Sequence, residues 1–157
     1  MLSNLSVICL IALTTPSAEI TSAQPLQPIQ VLSAAAPDVA WSAGSHLTAD
    51  FDCDGRADHA FLGRSAGRVY VGLVRDASPE PEVLDFAVDS GVQAAICGEP
   101  AELAVESLDY DPTEAVGPIE GFMRSQSCKG LRLSGGECDS VHFFWNHKTR
   151  ELNWWRL

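Results

Sequence analysis

The nine residues from Asp50 to Asp58 read D-F-D-C-D-G-R-A-D, with aspartate at positions one, three, five and nine and glycine at six. Four carboxylates crowded into one turn repel each other unless a cation lies among them, because two like charges about 4 Å apart cost on the order of 4 kcal/mol near a protein surface. The pattern therefore asks for a sharp turn and a counter-ion. Gly55 meets the first demand, since a residue without Cβ reaches positive φ freely. Ca²⁺, which takes six to eight oxygen ligands, meets the second. The side chains of Asp50, Asp52, Asp54 and Asp58 and the backbone carbonyl of Arg56 are the expected ligands. An EF-hand would carry a bidentate Glu at position twelve; Phe61 stands there, so the loop reads as a calcium loop of another kind. The competing reading is a solvated acidic turn that binds nothing.

His59–Leu62 and Arg68–Val74 follow as β-prone runs, separated by the hairpin signal Gly63-Arg64-Ser65-Ala66-Gly67. The run from Asp50 to Val74 resembles the calcium-binding repeat of the FG-GAP and VCBS families, in which D-x-D-x-D-G-x-x-D leads into a strand. The wider stretch VLSAAAPDVAWSAGSHLTADFDCDGRADHAFLG is similar to small exported bacterial proteins that carry one such unit. The resemblance implies a short N-terminal helix before the loop and a C-terminal aromatic hairpin closing the domain, a place held here by DSVHFFWNHKTRELNWWRL. Cys53 stands where Gly or Asn is more familiar. The repeat occurs once, and one unit cannot build a propeller, so integrin-like ligand recognition does not carry over.

The expected fold is mainly β, a small α+β domain of antiparallel sheet and hairpins around this loop, stapled by disulfides. Residues 1–23 read as an export signal: Leu5 to Leu13 is apolar but too short to span a bilayer, and small residues follow Pro16. Cleavage after Ala23 is expected, with Ala18 as the alternative. Residues 24–36 form a tether and short helix, with helical turns at Val31–Ala36 ending before Pro37. Residues 37–157 form one β-rich domain. Periplasmic or secreted residence follows, and no later segment is apolar enough to cross a membrane.

Loss of the signal removes Cys9 and leaves Cys53, Cys97, Cys128 and Cys138, an even set without C-x-x-C that suits two disulfides in an oxidising compartment. Three connectivities are open. The preferred one pairs Cys97 with Cys128 and Cys53 with Cys138, tying the loop to the C-terminal sheet; a local Cys128–Cys138 bridge is the alternative.

Strands are expected at Ser45–Ala49, His59–Leu62, Arg68–Val74 and Val83–Val88, and a strand or helical turn at Ala101–Ser107. Asp109–Gly121 reads as loop, Leu131–Leu133 as a short strand, and Ser134-Gly135-Gly136 as a turn. Val141–Trp145 and Glu151–Trp155 form a hairpin across Asn146–Arg150, with Val141, Phe143 and Trp145 on one face. Trp154 and Trp155 read as core, with ligand stacking the lesser alternative.

Charge excludes one class of partner. The formal net charge is −11, and from Asp76 to Met123 there are twelve acidic residues and no Lys or Arg. Nucleic acid needs a positive surface and is excluded; a cationic protein is the partner this charge admits. Gly63–Gly67 matches the G-x-S-x-G nucleophile elbow, which works only at a strand-to-helix turn, and here joins two strands. His46, His59, His142 and His147 show no H-x-x-x-H spacing. The function expected is an exported, calcium-binding, non-catalytic β domain acting by binding or as an envelope module. The alternative is an acidic inhibitor or immunity-type protein that binds a cationic envelope hydrolase through residues 76–120. A small hydrolase ranks last, for want of a catalytic constellation.

Overall fold

A computed structural model describes residues 27–78, 80–89, 91 and 95–157. The expected signal, with Cys9 and both cleavage positions, lies outside the described residues. Helix α1 (Pro28–Ala35) begins with proline, whose missing N–H is no loss at a first turn. It therefore starts inside the stretch read as tether. Strands β1 (Ala40–Trp41), β2 (Leu47–Ala49), β3 (Asp58–Ser65), β4 (Arg68–Val74), β5 (Glu82–Val88) and β6 (Ala95–Ile96) form one sheet. Strands β7 (Ala101–Leu108), β8 (Ser125–Gly135), β9 (Val141–Asn146) and β10 (Glu151–Trp155) form the other, in the order β10-β9-β8-β7. A four-residue helix, α2 (Thr113–Val116), lies in the segment read as loop. All pairings are antiparallel except β5 with β6. The mainly β fold is as the sequence implied.

The β3–β4 hairpin turns on Ala66 (φ 46°) and Gly67 (φ 74°). Positive φ at both central residues of a two-residue loop matches the twist of the flanking strands. The G-x-S-x-G match thus sits in an antiparallel hairpin, and Gly63 has a packing reason: a Cβ there would run into Val39 and Trp41. Gly72 is similar, with Leu32 of α1 2.6 Å and Trp41 2.7 Å from where its Cβ would lie. The helix rests on Gly72 through Leu32, while Gly63 makes room for Val39 and Trp41; Leu32 is wholly buried against Phe61 and Val74. Gly72→Ala should push α1 off the sheet and cost about 1–3 kcal/mol by overpacking, read as a lower urea midpoint with unchanged slope.

Period-two alternation places Ala60, Leu62, Val71, Leu73 and Phe86 on the inner face of the first sheet and Leu103, Leu131, Leu133, Val141, Phe143 and Leu152 on that of the second. Phe86 and Phe143 meet edge to face across the gap, centroids 5.5 Å apart. Trp154 packs edge-on against Phe86, and Trp155 stacks on His142 at 4.3 Å. Both tryptophans are therefore engaged within the fold. A satellite cluster of Leu108, Phe144, Tyr110, Ile119 and Phe122 covers the outer face of the second sheet under residues 109–124.

The disulfides are Cys53–Cys128 and Cys97–Cys138, with Cα separations of 5.1 and 5.6 Å. This corrects the expected Cys97–Cys128 and Cys53–Cys138 pairing and rules out the local Cys128–Cys138 bridge. The reason is the length of β8. It spans 11 residues rather than the few around Leu131 and Leu133, and at about 3.3 Å per residue the stretch from Cys128 to Gly135 covers roughly 23 Å. Cys128 therefore lies near the start of β8 and Cys138 just past its far end, and each takes what docks there. The acidic loop docks at the first end, where Lys129 N–H donates to the Asp50 carbonyl at 2.9 Å. The segment after β6 docks at the other, where Cys97 N–H donates to Gly135 at 3.1 Å. A tie between loop and C-terminal sheet does exist, through Cys128.

Candidate metal centre

Two residues draw the acidic loop inward. Phe51 is 1% exposed and belongs to the central core. Asp58, the first residue of β3, is equally buried. Its Oδ2 accepts the Phe51 and Asp52 N–H groups at 2.9 and 3.1 Å, and its Oδ1 accepts the Asp76 N–H at 3.2 Å. One carboxylate thereby joins the start of the loop to the chain just past β4. Asp50 faces the same space, accepting the Asp54 and Gly55 N–H groups, each at 3.1 Å. Asp52 is buried too; its Oδ1 accepts Asp54 N–H at 3.1 Å, while its Oδ2 lies 3.5 Å from Arg75 Nη1. Asp50, Asp52 and Asp58 each offer an oxygen within 4.8 Å of the others. Three carboxylates converging at this distance suit a hard, oxygen-seeking cation.

Asp54 and Arg56 are placed otherwise. The Asp54 carboxylate accepts the Arg56 backbone N–H at 2.8 Å and the Arg56 guanidinium at 2.9 and 3.1 Å. The pair is exposed at the rim of the loop, with Arg56 also 3.6 Å from Asp76. Of the residues expected as ligands, three come together and these two bind one another.

Electrostatics separate the aspartates further. Burial pushes the Asp58 carboxyl above the usual range, against the pull of the Phe51 N–H bond and with the Asp52 charge adding to the rise. Asp54 is held below it by the Arg56 backbone N–H, with the guanidinium contributing. Cys53 adopts φ 64° and Gly55 φ 85°. The left-handed conformation at Cys53 accounts for the usual Gly or Asn at that point of such loops; here the bridge to Cys128 holds a side chain in a conformation that disfavours one.

Two features had no signal in the loop spacing. Arg75, the residue after β4, reaches Asp52 and lies 4.5 Å over the Trp145 ring, with Glu82 3.9 Å away. This half-buried guanidinium connects the acidic cluster to the second sheet. The acidic segment from Asp76 onward also turns out to be countered from outside itself. Asp76, Glu82, Asp85, Glu99, Asp109 and Glu120 pair with Arg56, Arg75, Arg68, Arg64, Arg124 and Lys148, and Glu106 binds His142 at 2.9 Å. Arginine and lysine side chains from other parts of the chain supply the cations that the segment lacks.

Comparison of the chain with family models, curated proteins and solved structures returns no match. Among the described residues no helix is long and apolar enough to cross a membrane.

Proposed function

We propose that this chain is an exported, calcium-binding, non-catalytic β domain of the FG-GAP/VCBS type, acting by binding or as an envelope module. The observation that carries the calcium reading is the convergence of Asp50, Asp52 and Asp58, with Asp58 buried and fixed by three backbone N–H groups. A bound cation would also offset the burial that opposes ionisation of Asp58. Calcium would draw on these three side chains first; Asp54 and the Arg56 carbonyl join it if the exposed Asp54–Arg56 pair opens. Two disulfides agree with an oxidising, exported setting.

The surroundings of the loop support a structural role for the ion. The charged groups bound to the loop carboxylates are the guanidiniums of Arg75 and Arg56, which stay protonated and cannot serve as a base. The inhibitor reading draws on the acidic segment, yet seven of its twelve carboxylates are engaged within the fold. That leaves a less uniform face for a cationic enzyme.

Calorimetry on the oxidised protein should give one Ca²⁺ per chain with a dissociation constant of about 0.1–1 mM, as in extracellular modules. At fifty times that concentration, binding to the native state alone should add about 2.3 kcal/mol of stability. No heat of binding at millimolar calcium would sink the reading. Calcium-dependent turnover of peptidoglycan fragments, phosphoesters or peptides would sink its non-catalytic half.

A further inference from the structure

The edge strand beside β3 is broken. β1 pairs with Arg64 and Gly63, β2 pairs with Ala60 to Asp58, and residues 42–46 bulge between them. Ser42 N–H donates to the Leu62 carbonyl at 2.9 Å and Ser45 Oγ accepts the Leu62 N–H at 2.8 Å, so the ladder is patched rather than lost. The break carries His46 onto the outer face of the sheet, where its ring lies flat on Phe61 (centroids 4.7 Å apart, planes within 7°). β2 then brings Thr48 opposite His59. The result is three donor atoms from three points of the chain: His46 Nε2 lies 3.0 Å from His59 Nδ1, and Thr48 Oγ1 lies 3.3 and 3.5 Å from them.

Two ring nitrogens at that distance share either a proton or a metal ion. With metal–nitrogen bonds of about 2.0–2.1 Å, neighbouring ligands sit about 2.9 Å apart at a right angle and about 3.3 Å apart at a tetrahedral one. The His46–His59 spacing lies between these values. Imidazole nitrogen selects borderline transition metals, unlike the all-oxygen acidic loop, which suits Ca²⁺. Asp58 and His59 are adjacent, but successive side chains of a strand point to opposite faces, so the two sets do not merge.

We propose that His46 and His59, with the Thr48 hydroxyl beside them, form a second and independent metal site that takes a divalent transition ion, Cu²⁺ most tightly and Ni²⁺ or Zn²⁺ less so. Two protein nitrogens leave the other positions to water, with Thr48 placed to bind one of those waters. His46 and Thr48 are exposed. The site is open and its ion exchangeable, which fits capture of a metal from the medium rather than a buried structural role.

The test is a Cu²⁺ titration of the full oxidised chain in millimolar Ca²⁺, which keeps the acidic loop occupied, followed by calorimetry and electron paramagnetic resonance. One Cu²⁺ per chain with two nitrogen donors is expected. Removing an outer-shell partner of a metal site already costs about 10–100-fold, so His46→Ala or His59→Ala should weaken binding at least about tenfold while calcium binding persists. His147→Ala, in the exposed β9–β10 turn, should change nothing. Undiminished Cu²⁺ affinity in the His46→Ala/His59→Ala double variant, or its loss in His147→Ala, overturns the proposal. A measurement that needs no variant is Zn²⁺ titration followed by histidine ring NMR: shifts at His46 and His59 support the site, and shifts confined to His142 or His147 refute it.

Discussion

Replacing Cys53 and Cys128 together by serine should lower the unfolding free energy by about 4 kcal/mol. The bridge closes a separation of 75 residues, for which the chain-entropy relation gives roughly 4.5 kcal/mol. Cys97→Ser with Cys138→Ser, across 41 residues, should cost slightly less, about 3.9 kcal/mol by the same relation. The two losses differ in what else they release. The first frees the acidic loop from the head of β8 and should weaken calcium affinity; the second acts at the other end of β8 and should leave it unchanged. Backbone strain gives a finer check. Because Cys53 holds φ 64°, Cys53→Gly paired with Cys128→Ala should be more stable than Cys53→Ala paired with Cys128→Ala by about 1 kcal/mol. Urea denaturation with and without calcium measures all of these. Equal calcium affinity in both bridge-deleted proteins would show that Cys128 does not anchor the loop.

Local signals were legible where a single segment decides its own conformation. The D-x-D-x-D-G turn, the β3–β4 hairpin and the β9–β10 hairpin each follow from turn residues and period-two alternation within about ten positions. β8 was not legible, because its glycines read locally as breakers. Gly130 is there because a Cβ would meet the Phe143 carbonyl at 2.5 Å and Leu108 at 2.8 Å, and Gly135 because one would meet the Gly98 carbonyl at 2.5 Å. These are close approaches of other chain segments, which a sequence window cannot contain. The disulfide pairing depends on the same long-range placement: Cys53 meets Cys128 and Cys97 meets Cys138 across 75 and 41 residues of sequence. The site shows the same division. Asp50, Asp52 and Asp58 were found by spacing, whereas the burial of Asp58, the contribution of Arg75 and the meeting of His46 with His59 depend on strand register. Arg68, Arg64 and Arg124 likewise appear as unremarkable surface cations until register sets them against Asp85, Glu99 and Asp109.

Asp58→Ala and Asp58→Asn should separate the two roles of the loop's buried carboxylate. Alanine removes the acceptor of three backbone N–H groups, those of Phe51, Asp52 and Asp76. Each buried donor left without a partner costs about 1–3 kcal/mol, so a loss of about 3–5 kcal/mol is expected even without calcium. Asparagine can turn its carbonyl toward Phe51 and Asp52 and set its amide against Asp76, losing one hydrogen bond rather than three. It also removes a charge that burial opposes. In the metal-free wild type, burial and Asp52 raise the Asp58 pKa in the folded state. The group's contribution to stability is therefore fully present below the unfolded carboxyl pKa of about 3.9 and lost as pH rises through the raised native value. Asp58→Asn abolishes that loss, so its metal-free stability at neutral pH should lie close to wild type. Calcium reverses the comparison, because the ion favours the ionised carboxylate that burial alone disfavours. At saturating calcium the wild type should gain the full increment and Asp58→Asn little of it, while Asp58→Ala is destabilised under both conditions. Thermal unfolding of the three proteins at neutral pH, with and without calcium, decides the matter. A calcium-induced gain in Asp58→Asn equal to that of wild type would place the ion elsewhere and leave Asp58 a purely structural hinge between the loop and β4.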